Sequence, residues 1–232
     1  MFIKIVDAVK TYGQGELQVN ALDHISVELE AGKIYVILGP SGSGKSTLLN
    51  MLGGLDRLDS GKMIIDGTDI TGLSRKEMTQ YRRESVGFVF QFYNIIPDMT
   101  VKENIQAVQD ISDHPFDISD MLEALGIAEY ADRFPKELSG GQQQRAAIAR
   151  ALVKNPKILL CDELTGALDT KSSKMVLEFV EKIHEKYGTT IIIVTHNEGI
   201  AEMADMIIRL HDGKISSASE NENRKAAKDL TL

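Results

Sequence analysis

Lys45 and Ser46 close the run Gly39-Pro40-Ser41-Gly42-Ser43-Gly44-Lys45-Ser46-Thr47, in which glycine, four free residues, glycine, lysine and a hydroxyl residue follow one another. Glycines at 39, 42 and 44 let the backbone take positive φ and curl its N–H groups around an anion. A helix starting at the lysine points the positive end of its dipole at the same charge. The Lys45 ammonium then reaches the β and γ phosphates of a nucleotide, and the Ser46 hydroxyl faces Mg²⁺. The flanks agree: KIYVIL before the run reads as a strand and STLLNML after it as a helix.

A second chemical pair sits at the end of another apolar run, KILLCDE, from Lys157 to Glu163. Asp162 is placed to hold Mg²⁺ through water. Glu163 can orient and deprotonate an attacking water if the fold brings it near the γ phosphate. A glycine turn alone, or an acidic pair after a strand alone, is ordinary; the two together in one chain favour nucleotide chemistry.

Several further motifs follow in order: KTYG with Tyr12, FVFQ with Gln91, LSGGQQQR from Leu138 to Arg145, DELTGALD from Asp162 to Asp169, and IVTHN with His196. On these residues the chain resembles the ATPase subunit of an ABC transporter, from its N-terminus to about Gly213. The resemblance implies that Tyr12 stacks on adenine and that Gln91 touches Mg²⁺ or the attacking water while linking to a membrane partner. It implies that His196 donates toward the γ phosphate and that Asp169 crosses a dimer interface. Ser139, Gly140, Gly141 and Gln142 would cap the γ phosphate held by a second copy, so that a homodimer sandwiches two ATP molecules head to tail. Taken singly, each has a bland rival: a histidine at a strand end, a solvated glutamine or a core aromatic is common.

Within that family the strings LGGLDRLDSGKMIIDG, YRRESVGFVFQFYNIIPDMTVKENI and DELTGALDTKSS are most similar to the macrolide-export (MacB), lipoprotein-release (LolD) and cell-division (FtsE) group. The resemblance implies an FtsX/MacB-like transmembrane permease as partner, and export or mechanotransmission of a peptide, antibiotic or lipid-like cargo. Two departures stand out. Leu164 replaces the usual proline of DEPTG, which leaves Glu163 less rigidly held and turnover slower as the expectation. The stretch IQAVQDISDHPFDIS after Asn104 lacks the apolar-proline segment of lipoprotein-release relatives and leaves the substrate subgroup open. The alternative is a soluble ABC ATPase acting on ribosome or DNA. Such relatives carry two ATPase domains or a long coiled coil, and this chain has neither. A P-loop kinase would leave LSGGQQQR unexplained.

The positioning elements are legible from periodicity. IYVIL, ILL and IIIV are continuous apolar runs, the mark of buried parallel strands, whereas Ile25, Val27 and Leu29 alternate with polar residues as in a half-exposed antiparallel strand. Val176, Phe179, Val180 and Ile183 repeat at helical spacing before Gly188. The expected fold class is α/β: a P-loop ATPase domain with a parallel core sheet, an N-terminal antiparallel β section and an embedded helical subdomain at about 92–155. Residues 1–232 are read as one domain, ending in a short strand after Lys214 and then a polar, mobile tail at about 218–232.

Composition sets limits. At 232 residues, 43% hydrophobic and 26% charged, the chain can bury a sizeable core. No apolar run approaches the roughly 18 residues needed to span a bilayer. The start, MFIKIVDAVK, lacks the features of a secretory signal, so the expected location is cytoplasmic, peripheral at the inner face of the membrane through the permease. A net charge of −8 speaks against a nucleic-acid surface, and the cluster Tyr81-Arg82-Arg83 reads as a solvated helix end. The lone Cys161 reads as a small buried hydrophobe.

Overall fold

The computed structural model describes residues 1–232 except for the side chain of Glu16. A six-stranded sheet carries β3 (Ile34–Leu38), β6 (Val86–Val89), β7 (Ile158–Asp162), β8 (Thr190–Thr195), β9 (Met206–His211) and β10 (Lys214–Glu220) in the order β10-β9-β3-β8-β7-β6. All neighbours are parallel except β10, which runs antiparallel to β9. A four-stranded antiparallel sheet holds β1 (Ile3–Tyr12), β2 (Val19–Leu29), β4 (Ser60–Ile65) and β5 (Thr68–Asp69) in the order β2-β1-β4-β5.

The continuous apolar strands are buried on both faces because successive residues feed two different cores. Ile34, Val36, Leu38, Leu159, Cys161, Ile191 and Ile193 face one core, shared with the helices α3 (Val101–Gln109), α4 (Ile118–Ala124), α5 (Gly140–Leu152) and α6 (Thr170–Tyr187). Tyr35, Ile37, Ile158, Leu160, Ile192 and Val194 face the other, which they share with α1 (Lys45–Leu52), α2 (Arg75–Ser85) and the antiparallel sheet. A short helix, α7 (Glu198–Ala201), follows β8.

Helix starts follow local capping chemistry. Ser74, Thr100 and Ser139 each open a helix with a reciprocal capping box to Glu77, Glu103 and Gln142. Gly188, at φ 65°, ends α6 as its left-handed cap.

Two expectations fail. The short strand expected after Lys214 is present as β10, which runs to Glu220 and pairs Ala218 with Ile208, but the segment beyond it is no loose tail: it docks. Ala227 and Leu230 are fully buried, the Ala227 N–H donates to Glu181 Oε2 at 2.9 Å, and Arg224 pairs with Asp205 at 3.1 Å. Few apolar residues suffice here because α6 and the β9 region present a preformed surface to them. Tyr81 and Arg82 are likewise not a solvated helix end. The Tyr81 hydroxyl donates to Leu52 O at 2.6 Å from a buried position, and Arg82 donates to Gly54 O at 2.8 Å, so they satisfy carbonyls at and just past the end of α1.

Candidate functional site

The loop between β3 and α1 opens on a cleft of 490 Å³, lined by Ser41, Gly42, Gly44, Lys45, Ser46, Thr47, Gln91, Glu163 and His196, with Val19 and Ala21 on its β2 side. Gly42 and Gly44 take positive φ, 80° and 97°, as the phosphate loop requires. Gly39 serves differently. Its φ is ordinary, but a Cβ there would run into the carbonyl of Leu210 and the Ser43 hydroxyl, so glycine is needed for close approach to β9. Gly39, Pro40 and Ser43 complete the loop without lining the cleft; Ser43 is buried.

Lys45 is the first residue of α1, and its ammonium donates to the carbonyls of Gly39 and Pro40, both at 2.8 Å. Burial pushes its pKa down, opposed by the nearby Glu163 and Asp162 carboxylates. The lysine thus rests on neutral acceptors of its own loop, which an anionic ligand can displace with stronger charge-assisted bonds.

β7 and β8 lie side by side, and their C-terminal ends bring the acidic pair to the cleft. The Ser46 hydroxyl donates to Asp162 Oδ1 at 3.1 Å. Burial raises the Asp162 pKa, with Ser46 and Lys45 pulling against it and Glu163 adding to it. This hydroxyl–carboxylate pair offers hard oxygen donors of the kind Mg²⁺ takes alongside phosphate and water. Among the described residues no group of three or more His, Cys, Asp and Glu is arranged to hold a metal by itself.

Glu163 stands one residue past β7 at φ 47°, a left-handed conformation unusual for glutamate. Its N–H donates to Val194 O at 2.9 Å. Its Oε1 is 3.1 Å from His196 Nδ1, and Thr195 Oγ1 approaches Oε2 at 3.5 Å. The carboxylate is mostly covered, with 17% of the side chain exposed against 71% for His196. Leu164 is buried in the core, and the Gly166 N–H donates to Glu163 O at 2.9 Å, closing a turn with Leu164 at its second position. Burial of this leucine anchors the turn where a proline ring would stiffen it.

Gln91, just beyond β6, lines the cleft and crowds the Gly166 turn, where a Cβ would sit 3.2 Å from Gln91 Nε2. Two residues not singled out from the sequence shape the segment after it. Asn104, fully buried on α3, donates to the carbonyls of Ile96, Met99 and Thr100 at 3.0 Å each. Arg150 on α5 donates to Asn94 O at 2.7 Å, holding a stretch in which Tyr93 and Asn94 take positive φ. Neither carries a motif of its own. A polar residue within an apolar helical pattern was the only signal.

The fold leaves other predicted residues outside the cleft. Ser139 caps α5, Gly140, Gly141 and Gln142 form its first turn, and none of the four lines the cleft. Asp169 caps α6 with its Oδ1 2.9 Å from the Ser172 N–H; that bond and the Ser172 hydroxyl hold its pKa low. Tyr12 ends β1 and does not line the cleft; its hydroxyl donates to Asp56 Oδ2 at 2.8 Å.

Residues 22–166 match the ABC transporter family. The chain is 42% identical over 218 residues to an uncharacterized ABC transporter ATP-binding protein of Thermotoga maritima, covering 92% of this chain and 93% of that one. It is also 42% identical over 218 residues to the lipoprotein-releasing system ATP-binding protein LolD of Geobacter metallireducens, covering 92% and 97%. A relative from Mycoplasma pneumoniae, named an ABC transporter ATP-binding protein and 41% identical over 231 residues, or 98% of this chain, is about twice as long, and the chain spans 50% of it. Among solved structures, a dimeric ATP-binding cassette in a post-hydrolysis state bound to ADP and Pi superimposes with a TM-score of 0.85 at 38% identity, covering 95% of this chain and 99% of that one. These relatives are named as transporter components, which does not favour a soluble ribosome- or DNA-directed ATPase. A phosphate loop, an acidic strand end and the helix that opens within LSGGQQQR, together in one such cassette, lead to one conclusion: the chain belongs to the ABC transporter family.

Proposed function

We propose that two copies of the chain close head to tail around two ATP molecules with Mg²⁺, and that this closure drives a transmembrane permease of the FtsX/MacB type. The observation that carries the reading is that Lys45, the Ser46–Asp162 pair and the Glu163–His196 pair serve one cleft, while Ser139 and its helix start lie outside it. The free N–H groups at the start of α5 suit an anion held by another copy. Mg²⁺, when bound by Ser46 and through water by Asp162, supplies positive charge against the phosphates.

In hydrolysis Lys45 leaves the carbonyls of Gly39 and Pro40 for phosphate oxygens. Glu163 accepts the proton of the attacking water on its carboxylate, and His196 holds that carboxylate's orientation while its exposed ring faces the cleft. Gln91, between the cleft and the loop leading to α3, reports the state of the site to the membrane partner. Tyr12 stacks on the adenine. Among the described residues no helix is long and apolar enough to cross a membrane, so on this reading the chain sits at the inner membrane face through its permease. Export or mechanotransmission of peptide, antibiotic or lipid-like cargo fits the MacB- and LolD-named relatives.

Mixing chains altered at Ser139 with chains altered at Lys45 tests the composite site. Recovered ATPase activity in the mixture, from two inactive parents, is expected; none would count against the head-to-tail pair. The partner is tested by purifying tagged Glu163→Gln with Mg-ATP from detergent-solubilised cells. A permease with few membrane helices and a large outside domain should co-purify. Ribosomal or DNA-repair proteins without any membrane protein would reverse the reading.

A further inference from the structure

The end of β1 is laced to the loop that follows α1. Lys10 and Tyr12, two residues apart, share one face of the strand. The Tyr12 hydroxyl donates to Asp56 Oδ2 at 2.8 Å, while Asp56 Oδ1 accepts from the Arg57 N–H at 2.7 Å and from the Lys10 ammonium at 3.3 Å. Lys10 also donates to Arg57 O at 2.7 Å, which leaves its ammonium 5.2 Å from the centre of the Tyr12 ring. Between Lys10 and Tyr12, the Thr11 N–H donates to Asp59 Oδ2 at 2.6 Å. Tyr12 as a residue is 43% exposed, and its ring is thus held at its hydroxyl end and backed by a cation.

We propose that Asp56, assisted by Lys10, is a positioning residue for the nucleotide base: it fixes the Tyr12 ring relative to the helix that begins at Lys45, so that base and triphosphate are bound in one register. The proposal rests on the reading of Tyr12 as the adenine-stacking aromatic. Its physical basis is preorganisation. An exposed tyrosine at a strand end samples several rotamers, and ordering it on binding costs affinity; a ring already tied to the loop that follows α1 has been ordered by folding. The carboxylate suits that task. Burial works to raise the Asp56 pKa, but the bonds from Tyr12, Arg57 and Lys10 outweigh it and keep Asp56 an acceptor. Burial and the bond to Asp56 raise the Tyr12 phenol, which remains a donor at neutral pH.

The test measures affinity of the full chain for ATP and for inorganic tripolyphosphate, both by displacement of a fluorescent ATP analogue, together with ATPase KM and kcat. Asp56→Ala and Tyr12→Phe should each weaken ATP about three- to tenfold, the net scale of one ordinary hydrogen bond. The loss should appear in KM rather than kcat, and tripolyphosphate, which has no base, should bind as before. In the Tyr12→Phe background Asp56→Ala should add no further loss, since the hydroxyl it acts through is gone. Tyr12→Phe keeps the ring and the aspartate, so the cycle can be read even if Asp56→Ala folds poorly. Additive losses, an equal loss of tripolyphosphate, or no loss from either change while Tyr12→Ala still weakens ATP would overturn the positioning role alone. Unchanged ATP affinity in Tyr12→Ala would overturn the adenine-stacking reading as well.

Discussion

Glu163 Oε1 and His196 Nδ1 lie 3.1 Å apart across the ends of two adjacent parallel strands, so a mostly buried carboxylate is oriented by an exposed imidazole. The contact joins residues 33 positions apart in sequence, and it exists because β7 and β8 run in register with Asp162 opposite Val194. The same neighbour relation gives Glu163 its backbone bond to Val194.

If Glu163 takes the water's proton, Glu163→Gln removes that base while keeping size and the ability to contact His196. ATP binding should persist and kcat should fall by about 10²–10⁴, the usual contribution of a general base. Lys45→Ala should instead weaken ATP binding and kcat together. Steady-state ATPase assays with a parallel binding measurement check both; native-rate hydrolysis by Glu163→Gln would remove the water-activation role.

Asp162 carries a pKa raised above its ordinary 3.8, chiefly by burial. The folded state therefore binds its proton more tightly than the unfolded chain does. Its contribution to stability is full below 3.8 and is lost as pH rises through the raised value. At pH 7 without nucleotide, Asp162→Asn should raise Tm while reducing Mg-dependent hydrolysis, and the Tm gain should shrink toward acid pH. Melting curves from pH 7 downward decide it: a lower Tm for Asp162→Asn at pH 7 would show that the Ser46 bond outweighs the burial cost.

The structure replaces the expectation of a loose Glu163 with a turn anchored by a buried leucine. Leu164 occupies the second position of that turn, where the fixed φ of proline is tolerated. Leu164→Pro should hydrolyse ATP within about twofold of the parent and melt earlier, because part of a buried side chain is lost. A several-fold faster Leu164→Pro would restore the idea that leucine slows turnover.

Leu230, fully buried under the docked C-terminal segment, should behave as a core residue. Leu230→Ala is expected to cost about 2–5 kcal/mol, the range for truncating a buried leucine. Denaturant unfolding monitored by circular dichroism gives the value, and a change under about 0.5 kcal/mol would indicate the solvated tail that composition suggests.

What the sequence determined by itself was the chemistry and the layers. The phosphate-loop spacing ending in Lys45 and Ser46 and the apolar runs of β3, β7 and β8 are local patterns, and local patterns fix loop, strand and helix without knowledge of neighbours. Tertiary structure decided what each residue meets. Gly39 is required by the approach of Leu210 O rather than by its φ, and Asn104 and Arg150 shape the segment after Gln91 through carbonyls in other loops. The tethering of Tyr12 by Asp56, and the burial of Ala227 and Leu230 in a polar stretch, joined them. Apart from those of Asn104, which reach four to eight residues back, these contacts span tens of residues, and composition within a window carries no record of the surface that a distant segment presents to it.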